Sequence, residues 1–495
     1  MKFFSTRGFG PVSGAEAIVK GLADDGGLFV PESFPEITLE DLGDLAALEY
    51  PERSAYIMSK YLTDFTYEEL LEYTKKAYSR FDGEAAPVIK VDDGLFLLEL
   101  FHGPTLAFKD IALTVLPYLL TGSKKKTGAE KKTQILVATS GDTGKAALEG
   151  FKNVDGVEIT VLYPAEGVSD MQKRQMITTD GKNVHVLGVK GNFDDAQTAV
   201  KKIFSDPEMK KKFSDLGYDL SSANSINFGR LVPQIAYYFS SYCDLVNAEE
   251  IELGQQVNFV VPSGNFGNIL AGYYAKRMGL PVQHLIVASN CNDVLTDFFS
   301  TGKYDAKRPF HKTISPSMDI LVSSNLERLV YEILDRDPKK VAGLMKDLKD
   351  FGLYVVDEDT LYDKAPEFLG YSCSEAETKE TIDNFYDDYS YLLDPHTAVG
   401  VTAFFKYMNE VYDDTTATVV VSTASPYKFP QSVLDASCHI KEDDAIKAAK
   451  RLARLTSTEI PEAIASLNDK PVLHNLVVDK SEIAEKVLAF VGGKE

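Results

Sequence analysis

Residues 102–110 place a single lysine, Lys109, between apolar neighbours just as a helical pattern begins. An ammonium group in a medium of low dielectric loses hydration, so its pKa falls and a neutral, nucleophilic amine becomes available near neutral pH. A lysine in this setting is suited to Schiff-base chemistry. Lys109 could instead be an ordinary residue of a first helical turn with its ammonium in water, and this stretch alone leaves both interpretations open.

Two further stretches, residues 138–144 and 262–268, have the pattern of a strand that turns into a helix. In the second stretch two glycines let the backbone approach a ligand, and the N–H groups at a helix start attract anions. A phosphate fits there, although a tight turn with a capping Asn would show the same residues. The first stretch is not a nucleotide P-loop, because Thr139 and Ala146 stand where that motif needs a glycine and a hydroxyl residue. Its hydroxyl groups suit a carboxylate instead.

Arg230 stands at the predicted start of another helix, beside Asn224, Ser225 and Asn227. An arginine fork with polar neighbours can bind an oxyanion through several donors. A helix N-cap cluster with an exposed arginine is the alternative interpretation.

Taken together and in this order, the stretch around Lys109 and the two glycine turns resemble the threonine synthases, pyridoxal-phosphate (PLP) enzymes of the tryptophan-synthase-β fold type. Further matches run almost from end to end: Ser5-Thr6-Arg7-Gly8, residues 21–31, Asn224-Ser225-Ile226-Asn227, residues 394–399 and Ser422-Thr423-Ala424. The resemblance implies that PLP is held on Lys109. It also implies that the cofactor phosphate is bound by Gly264, Asn265, Phe266, Gly267 and Asn268.

The resemblance extends to the substrate and the reaction. It implies that O-phospho-L-homoserine and water are converted to L-threonine and phosphate, the substrate being bound by Thr139, Ser140, Asp142, Thr143, Ser225, Asn227 and Arg230. Arg230 is the candidate for the substrate phosphate, and the loop of residues 139–144 for its carboxylate. Thr423 is placed at the pyridine nitrogen of the cofactor, where a hydroxyl partner would leave that nitrogen largely unprotonated.

Three positions of the family motifs keep more than one interpretation. Asp142 stands where related enzymes carry an Asn near the phenolic oxygen of the cofactor, so its contact with the cofactor stays open. His102 and His396 match family motifs, but each could be a buried histidine with satisfied hydrogen bonds, and neither is assigned a catalytic role. A PLP-dependent serine or threonine dehydratase and a non-catalytic metabolite-binding relative are the alternative functions.

Composition excludes several classes of partner. With 52 basic and 74 acidic residues the net charge is −22, which repels polyphosphate and argues against nucleic acid. No apolar run approaches the roughly 20 residues of a membrane helix, and the N-terminus lacks a signal-peptide core, so we expect a cytoplasmic protein without a membrane partner. The four cysteines form no Cys-x-x-Cys pair, which indicates neither a metal site nor a disulfide framework. The long form of the family is usually monomeric, so we expect a monomer or weak dimer.

The length of 495 residues suggests about two to four domains. Alternating strand and helix patterns predict an α/β protein with parallel sheets, which the resemblance makes PLP fold type II with two αβα domains. The predicted parts are a small helical N-terminal domain (1–87), a large PLP-binding domain (88–130 and 243–440), a small αβ domain (131–242) and C-terminal helices (441–495). Within the large domain, residues 301–391 are predicted as an acidic helical insertion on the outer face.

Overall fold

The computed structural model describes residues 1–165, 168–191 and 193–492. The predicted small αβ domain includes residues 166, 167 and 192, and the predicted C-terminal helices include residues 493–495. These six positions lie outside the described residues.

The N-terminal region contains a small antiparallel sheet in addition to the predicted helices. The strand order is β2-β1-β3, and the two predicted helix starts are confirmed by capping boxes, Ser13 with Glu16 and Thr66 with Glu69. Its elements are β1 (Lys2–Ser5), β2 (Val12–Ser13), α1 (Gly14–Lys20), β3 (Phe29–Pro31), α2 (Leu39–Ala46), α3 (Tyr50–Tyr61) and α4 (Tyr67–Tyr78).

The small parallel sheet is built from the middle of the chain. All five strands are parallel, in the order β16-β8-β7-β6-β9. Its elements and the two helices before it are α5 (Lys109–Leu113), α6 (Leu116–Thr127), β6 (Lys132–Ala138), α7 (Asp142–Phe151), β7 (Val157–Pro164), α8 (Asp170–Ile177), β8 (Val184–Lys190), α9 (Phe193–Ser205), α10 (Pro207–Asp215), β9 (Tyr218–Ser221) and the later strand β16 (Val477–Asp479).

The large sheet has six strands in the order β14-β11-β10-β15-β5-β4, parallel except for the edge strand β4. Every residue of β10 is buried, as the continuous apolar run predicts. The strands and the helices on either side of them are β4 (Val88–Asp92), β5 (Leu95–Glu99), α11 (Phe228–Asn247), β10 (Val257–Pro262), α12 (Gly267–Met278), β11 (Val282–Ser289), α13 (Val294–Thr301), β14 (Phe368–Ser372), α17 (Glu375–Tyr389), α18 (Pro395–Val411), β15 (Thr418–Ser422) and α19 (Pro430–Cys438).

The remaining elements connect or cover these layers. They are β12 (Lys303–Asp305), α14 (Leu326–Ile333), α15 (Pro338–Phe351), β13 (Leu353–Val355), α16 (Glu358–Lys364), α20 (Ala445–Thr456), α21 (Glu462–Ala465) and α22 (Ile483–Gly492), with short 3₁₀ turns at Pro316–Met318, Pro426–Lys428 and Ser466–Asn468. Across the described ranges, none of the helices combines the length and the apolar character needed to cross a membrane.

The sheet order explains how the site is assembled. Strands β10, β15 and β5 are neighbours, and in parallel sheets ligands bind beyond the carboxyl ends of the strands. The chain leaves β10 into residues 263–268, leaves β15 into Thr423, and leaves β5 toward Lys109. Three stretches that are far apart in the sequence therefore meet at one edge.

Three details differ from the sequence-based prediction. Segment 301–391 is not only an outer insertion, because its strand β14 pairs with β11 inside the large sheet. The C-terminal part is not only helical, because β16 extends the small sheet by pairing with β8. Helix α11 runs without a break through the predicted domain boundary at 242/243, since its apolar residues stay buried on both sides of that point. Such long-range pairings leave little trace in local periodicity.

Candidate active site

A cavity lies at the carboxyl edge of the large sheet, and most of the predicted site residues line it. They are Lys109, Asp142, Thr143, Ser225, Arg230, Gly264, Asn265, Phe266, Gly267, Asn268 and Thr423. Thr139, Ser140 and Asn227 are not among the lining residues. Strand ends and helix starts from both sheets therefore converge on one space.

Lys109 reaches the cavity because the backbone before it is attached to the large sheet. The Phe108 N–H donates to the Thr423 carbonyl at 2.8 Å, and Ala107 forms an isolated β-bridge with Ala424. The Lys109 Nζ lies 4.5 Å from the centre of the Phe108 ring and 3.7 Å from Asp142 Oδ2. Burial lowers the pKa of Lys109, and the Asp142 carboxylate opposes that effect. The amine is thus held in the setting predicted for a nucleophile.

Asp142 opens helix α7 and receives donors from distant parts of the chain. Gln172 Nε2 donates to Oδ1 at 2.9 Å and Ser317 Oγ donates to Oδ2 at 2.9 Å, while Lys428 Nζ lies 3.1 Å from Oδ1. Burial alone would raise the pKa of Asp142, but the ammonium groups of Lys428 and Lys109 outweigh it and hold that pKa far below the usual range. Asp142 is therefore an anion that lies between the amino groups of Lys109 and Lys428.

Thr139 supports the first turn from within. Its Oγ1 accepts hydrogen bonds from the Gly141 and Gly144 N–H groups, both at 2.9 Å. Thr143 and Asp142 are the members of this loop that reach the cavity. The hydroxyl of Thr139 thus stabilises the loop from within. Thr139 does not line the cavity, where the predicted contact with a substrate carboxylate would have to form.

The second glycine turn presents backbone donors. Within the described part of the chain, the N–H groups of residues 264–268 donate to no protein acceptor, and Phe266 begins the turn into α12 in the left-handed region at φ 62°. Asn268 Oδ1 accepts from the Tyr237 hydroxyl at 2.6 Å and from the Tyr238 hydroxyl at 2.8 Å. Its buried Nδ2 has no partner among the described residues, and Asn268 is one of the residues that line the cavity. The turn is a cradle of unused donors for an oxyanion.

Arg230 lies in the first turn of α11 and is only 3% exposed. Its Nη1 donates to the Ala223 carbonyl at 2.6 Å, whereas the buried Nε has no hydrogen-bond partner in the described part of the chain. Burial lowers the pKa of Arg230 to about 10. No carboxylate of the described residues forms an ion pair with this guanidinium, so it is a buried cation suited to a ligand anion.

Asn227 has a different role from the one that the family motif implies. Its Oδ1 accepts from the Gly229 N–H at 2.9 Å, which caps α11, and its Nδ2 donates to the Ile18 carbonyl at 3.0 Å. Both ends of the amide are used inside the protein. The N-cap interpretation that the sequence left open describes Asn227, while Ser225 from the same motif does reach the cavity.

Thr423 and His396 line the cavity, whereas His102 does not. The Thr423 N–H donates to Thr397 Oγ1 at 3.2 Å, and the residue lines the cavity while only 5% exposed. His396 also lines the cavity, with Nε2 accepting from the Ser317 N–H at 3.1 Å and Nδ1 2.8 Å from Asp394 Oδ1. His102 lies outside the cavity, where Nε2 is 2.7 Å from Glu99 Oε2. Each histidine therefore has a hydrogen-bond partner inside the protein.

Three side chains that contact Asp142 do not belong to the predicted site. Ser317 comes from the segment predicted to lie on the outer face. Gln172 and Lys428 lie outside all the sequence motifs described above. Lys428 did carry a signal, because the aromatic residues Tyr427 and Phe429 flank it, as Phe108 precedes Lys109. It is fully buried, with its Nζ donating to the Thr105 carbonyl at 2.7 Å and to Gln175 Oε1 at 3.2 Å.

Comparison with protein families gives three consecutive matches. The profile described as "Threonine synthase N terminus" matches residues 2–78, "Pyridoxal-phosphate dependent enzyme" matches residues 85–347, and "Threonine synthase, C-terminal" matches residues 397–487. The threonine synthase of Pseudomonas aeruginosa is 41% identical over 442 residues, which cover 88% of this chain and 90% of that protein.

Solved structures give the same result at the level of the fold. The PLP-bound threonine synthase from Brucella melitensis superposes with a TM-score of 0.87 at 36% identity, over 99% of both chains. The yeast threonine synthase superposes with a TM-score of 0.88 at 34% identity, over 100% of this chain and 99% of that one. These similarities confirm the predicted fold class, an α/β protein of PLP fold type II.

Proposed function

The chain belongs to the threonine synthase family, and from this premise we propose that it is a PLP-dependent lyase that converts O-phospho-L-homoserine and water to L-threonine and phosphate. The observation that carries the proposal is the presence of two separate anion-binding features in one cavity. One is the cradle of free N–H groups at residues 264–268, and the other is the buried guanidinium of Arg230. A phosphorylated cofactor together with a phosphorylated substrate would use both.

The residues present fit pyridoxal phosphate. Lys109 offers an amine whose pKa is lowered by burial, and the unpartnered Asn268 Nδ2 and the backbone donors of residues 264–268 match a phosphate group. Thr423 supplies a neutral hydroxyl for the pyridine nitrogen. When bound, PLP withdraws electrons from an attached amino acid and makes the hydrogen on its α carbon acidic.

The residues of the chain then have distinct tasks. Lys109 Nζ takes a proton from the α carbon and then one from the β carbon of the substrate as a general base. As a general acid it returns one proton to the γ carbon after phosphate has left and one to the α carbon after water has added, and the remaining proton of the water ends on the released phosphate. Asp142, held by Gln172 and Ser317, keeps its charge next to that amine. Arg230 holds the phosphate that leaves from the γ carbon, and water adds at the β carbon.

The test compares products. Purified protein with PLP and O-phospho-L-homoserine should release phosphate and L-threonine in equal amounts, measured by a phosphate assay and by amino-acid chromatography. Lys109→Ala should lose at least about a thousandfold in rate, because it removes the one lysine that lines the cavity among the described residues. A dehydratase would instead form a 2-oxo acid from serine or threonine without phosphate release, and a non-catalytic relative would bind PLP and turn over neither substrate.

We also propose that the protein acts as a monomer or weak dimer in the cytoplasm. All four cysteines, Cys243, Cys291, Cys373 and Cys438, are unpaired, which suits a reducing compartment. Size-exclusion chromatography with light scattering, run over a range of protein concentrations, measures the molecular mass of the protein in solution. A stable tetramer would contradict this part of the proposal.

A further inference from the structure

Ser225 has a hydroxyl whose hydrogen-bond direction is set by its neighbour. Asn325 Nδ2 donates to Ser225 Oγ at 3.0 Å, so the serine oxygen acts as the acceptor in that bond. A hydroxyl carries one hydrogen of its own. Among the described residues no protein acceptor receives it, while Ser225 lines the cavity. The Ser225 O–H is therefore free to donate into the cavity.

The direction depends on the amide of Asn325, which cannot be turned round. Its Oδ1 accepts from Arg328 Nη1, and its Nδ2 also donates to the Asn265 carbonyl at 3.0 Å. A guanidinium can only donate and a backbone carbonyl can only accept. Exchanging the two ends of the Asn325 amide would place donor against donor and acceptor against acceptor.

Arg328 is itself held rigidly. It is fully buried, its Nε donates to the Phe29 carbonyl at 2.9 Å and its Nη2 donates to the Ile226 carbonyl at 2.6 Å. The guanidinium thus joins the N-terminal sheet to the loop that carries Ser225. Since the Arg328 N–H donates to the Asn325 carbonyl at 3.0 Å as well, backbone and side chain both fix the relation between these two residues.

Resting on the proposed function, we propose that Arg328 and Asn325 are positioning residues that direct the Ser225 hydroxyl to donate to a phosphate oxygen in the cavity. The shared chemistry is a phosphate monoester, which the cofactor and the substrate both carry. Ser225 lies next to the phosphate cradle of residues 264–268, because a Cβ built on Gly267 would lie 3.7 Å from the Ser225 Cβ. Asn325 also holds Asn265 of the same cradle.

A double-mutant cycle tests whether Asn325 acts on phosphate binding through the Ser225 hydroxyl. Ser225→Ala, Asn325→Ala and the double variant are compared for the affinity of PLP to the protein stripped of cofactor, and for the affinity of inorganic phosphate to the PLP-loaded protein, both measured by titration calorimetry. Ser225→Ala should weaken one of the two affinities about 10- to 100-fold, the loss expected for one hydrogen bond to a charged group. Loss confined to PLP assigns the contact to the cofactor, and loss confined to inorganic phosphate assigns it to the substrate.

The proposal predicts that the effects of Ser225→Ala and Asn325→Ala on phosphate binding are strongly coupled. Asn325→Ala alone should weaken the same affinity about as much as Ser225→Ala, yet in the Ser225→Ala background it should add less than about threefold. Ser225→Thr, which keeps the hydroxyl, should retain most of the affinity. Additive effects of the two alanine variants, or unchanged affinities in Ser225→Ala, would overturn the proposal. If Asn325→Ala does not fold, Asn325→Asp replaces it, because a carboxylate keeps Arg328 as a partner and cannot donate to Ser225.

Ser323→Ala is the matched control. The Ser323 hydroxyl donates to the Gly264 carbonyl at 2.7 Å, so this variant disturbs the same cradle without contact to Ser225. Its effect on either affinity should add fully to that of Ser225→Ala. Both affinities are measured without turnover of phosphohomoserine. A parent protein that binds PLP and phosphate but makes no threonine would refute the proposed function and leave the outcome of the cycle readable.

Discussion

Lys109 and Asp142 face each other without a hydrogen bond, the Lys109 Nζ lying 3.7 Å from Asp142 Oδ2. The two oxygens of this carboxylate are bonded elsewhere, to Ser317 at Oδ2 and to Gln172 and Lys428 at Oδ1. Asp142 therefore attracts Lys109 electrostatically without fixing its position. An amine that must attach to a carbonyl and later move protons benefits from that freedom.

Removal of the Lys428 charge should shift the titration of Lys109. The Lys428 ammonium contributes to lowering the pKa of Lys109, after the larger effect of burial. In Lys428→Met that pKa rises, so the neutral amine appears only at higher pH. The midpoint for attachment of PLP to the cofactor-free protein, measured by borohydride trapping across pH, should move to higher pH. Lys428→Arg keeps the charge and should leave the midpoint in place, and a downward shift in Lys428→Met would contradict the argument.

Asp142→Asn should destabilise the fold, because it removes the carboxylate that forms an ion pair with the fully buried Lys428 ammonium. Breaking a buried pair from one side costs about 3 to 5 kcal/mol of unfolding free energy. Urea denaturation monitored by circular dichroism measures the loss. The double variant with Lys428→Met removes both charges, so its loss should be smaller than the sum of the two single losses. Simple additivity would show that the pair is not coupled.

Arg230→Met should raise the KM for O-phospho-L-homoserine by about 10- to 100-fold, as expected when one charge-assisted contact is lost. The effect should fall more on KM than on the affinity for PLP, if the guanidinium serves the substrate phosphate. Arg277→Met is the matched control, because that guanidinium packs on Phe34 and donates to the Tyr273 hydroxyl outside the cavity. Equal losses of PLP affinity and of substrate affinity in Arg230→Met would reassign Arg230 to the cofactor.

Tyr238→Phe should weaken PLP binding by about fivefold. The Tyr238 hydroxyl donates to Oδ1 of the cavity-lining Asn268, which orients the amide and leaves its Nδ2 without a partner among the described residues, and one neutral hydrogen bond is worth about 1 kcal/mol. Titration of the cofactor-free protein with PLP gives the affinity. Tyr242→Phe, on the same helix, removes a hydroxyl that contacts Gln255 and Gly254 instead. It should change stability alone, and an equal loss of PLP affinity there would argue against the orienting role of Tyr238.

Much of the site followed from the sequence because its signals are local. The strand-to-helix turn at residues 262–268 and the apolar setting of Lys109 depend on residues adjacent in the chain, and hydrophobic periodicity and turn chemistry report such relations directly. The same holds for the capped starts of α1 and α4. The resemblance to a family then gave these local features a common function.

The sequence by itself determined the strand-to-helix turns of the site and that one lysine and two glycine turns belong to an α/β protein. Only the tertiary structure decided which motif side chains face the cavity, turning Asn227 into a helix cap and Thr139 into a support of its own loop. It also brought in Ser317 and Lys428 from segments without a recognisable motif. Ser317 lies 175 residues from Asp142, and contacts at such separations arise from the packing of whole layers, which local propensity does not encode.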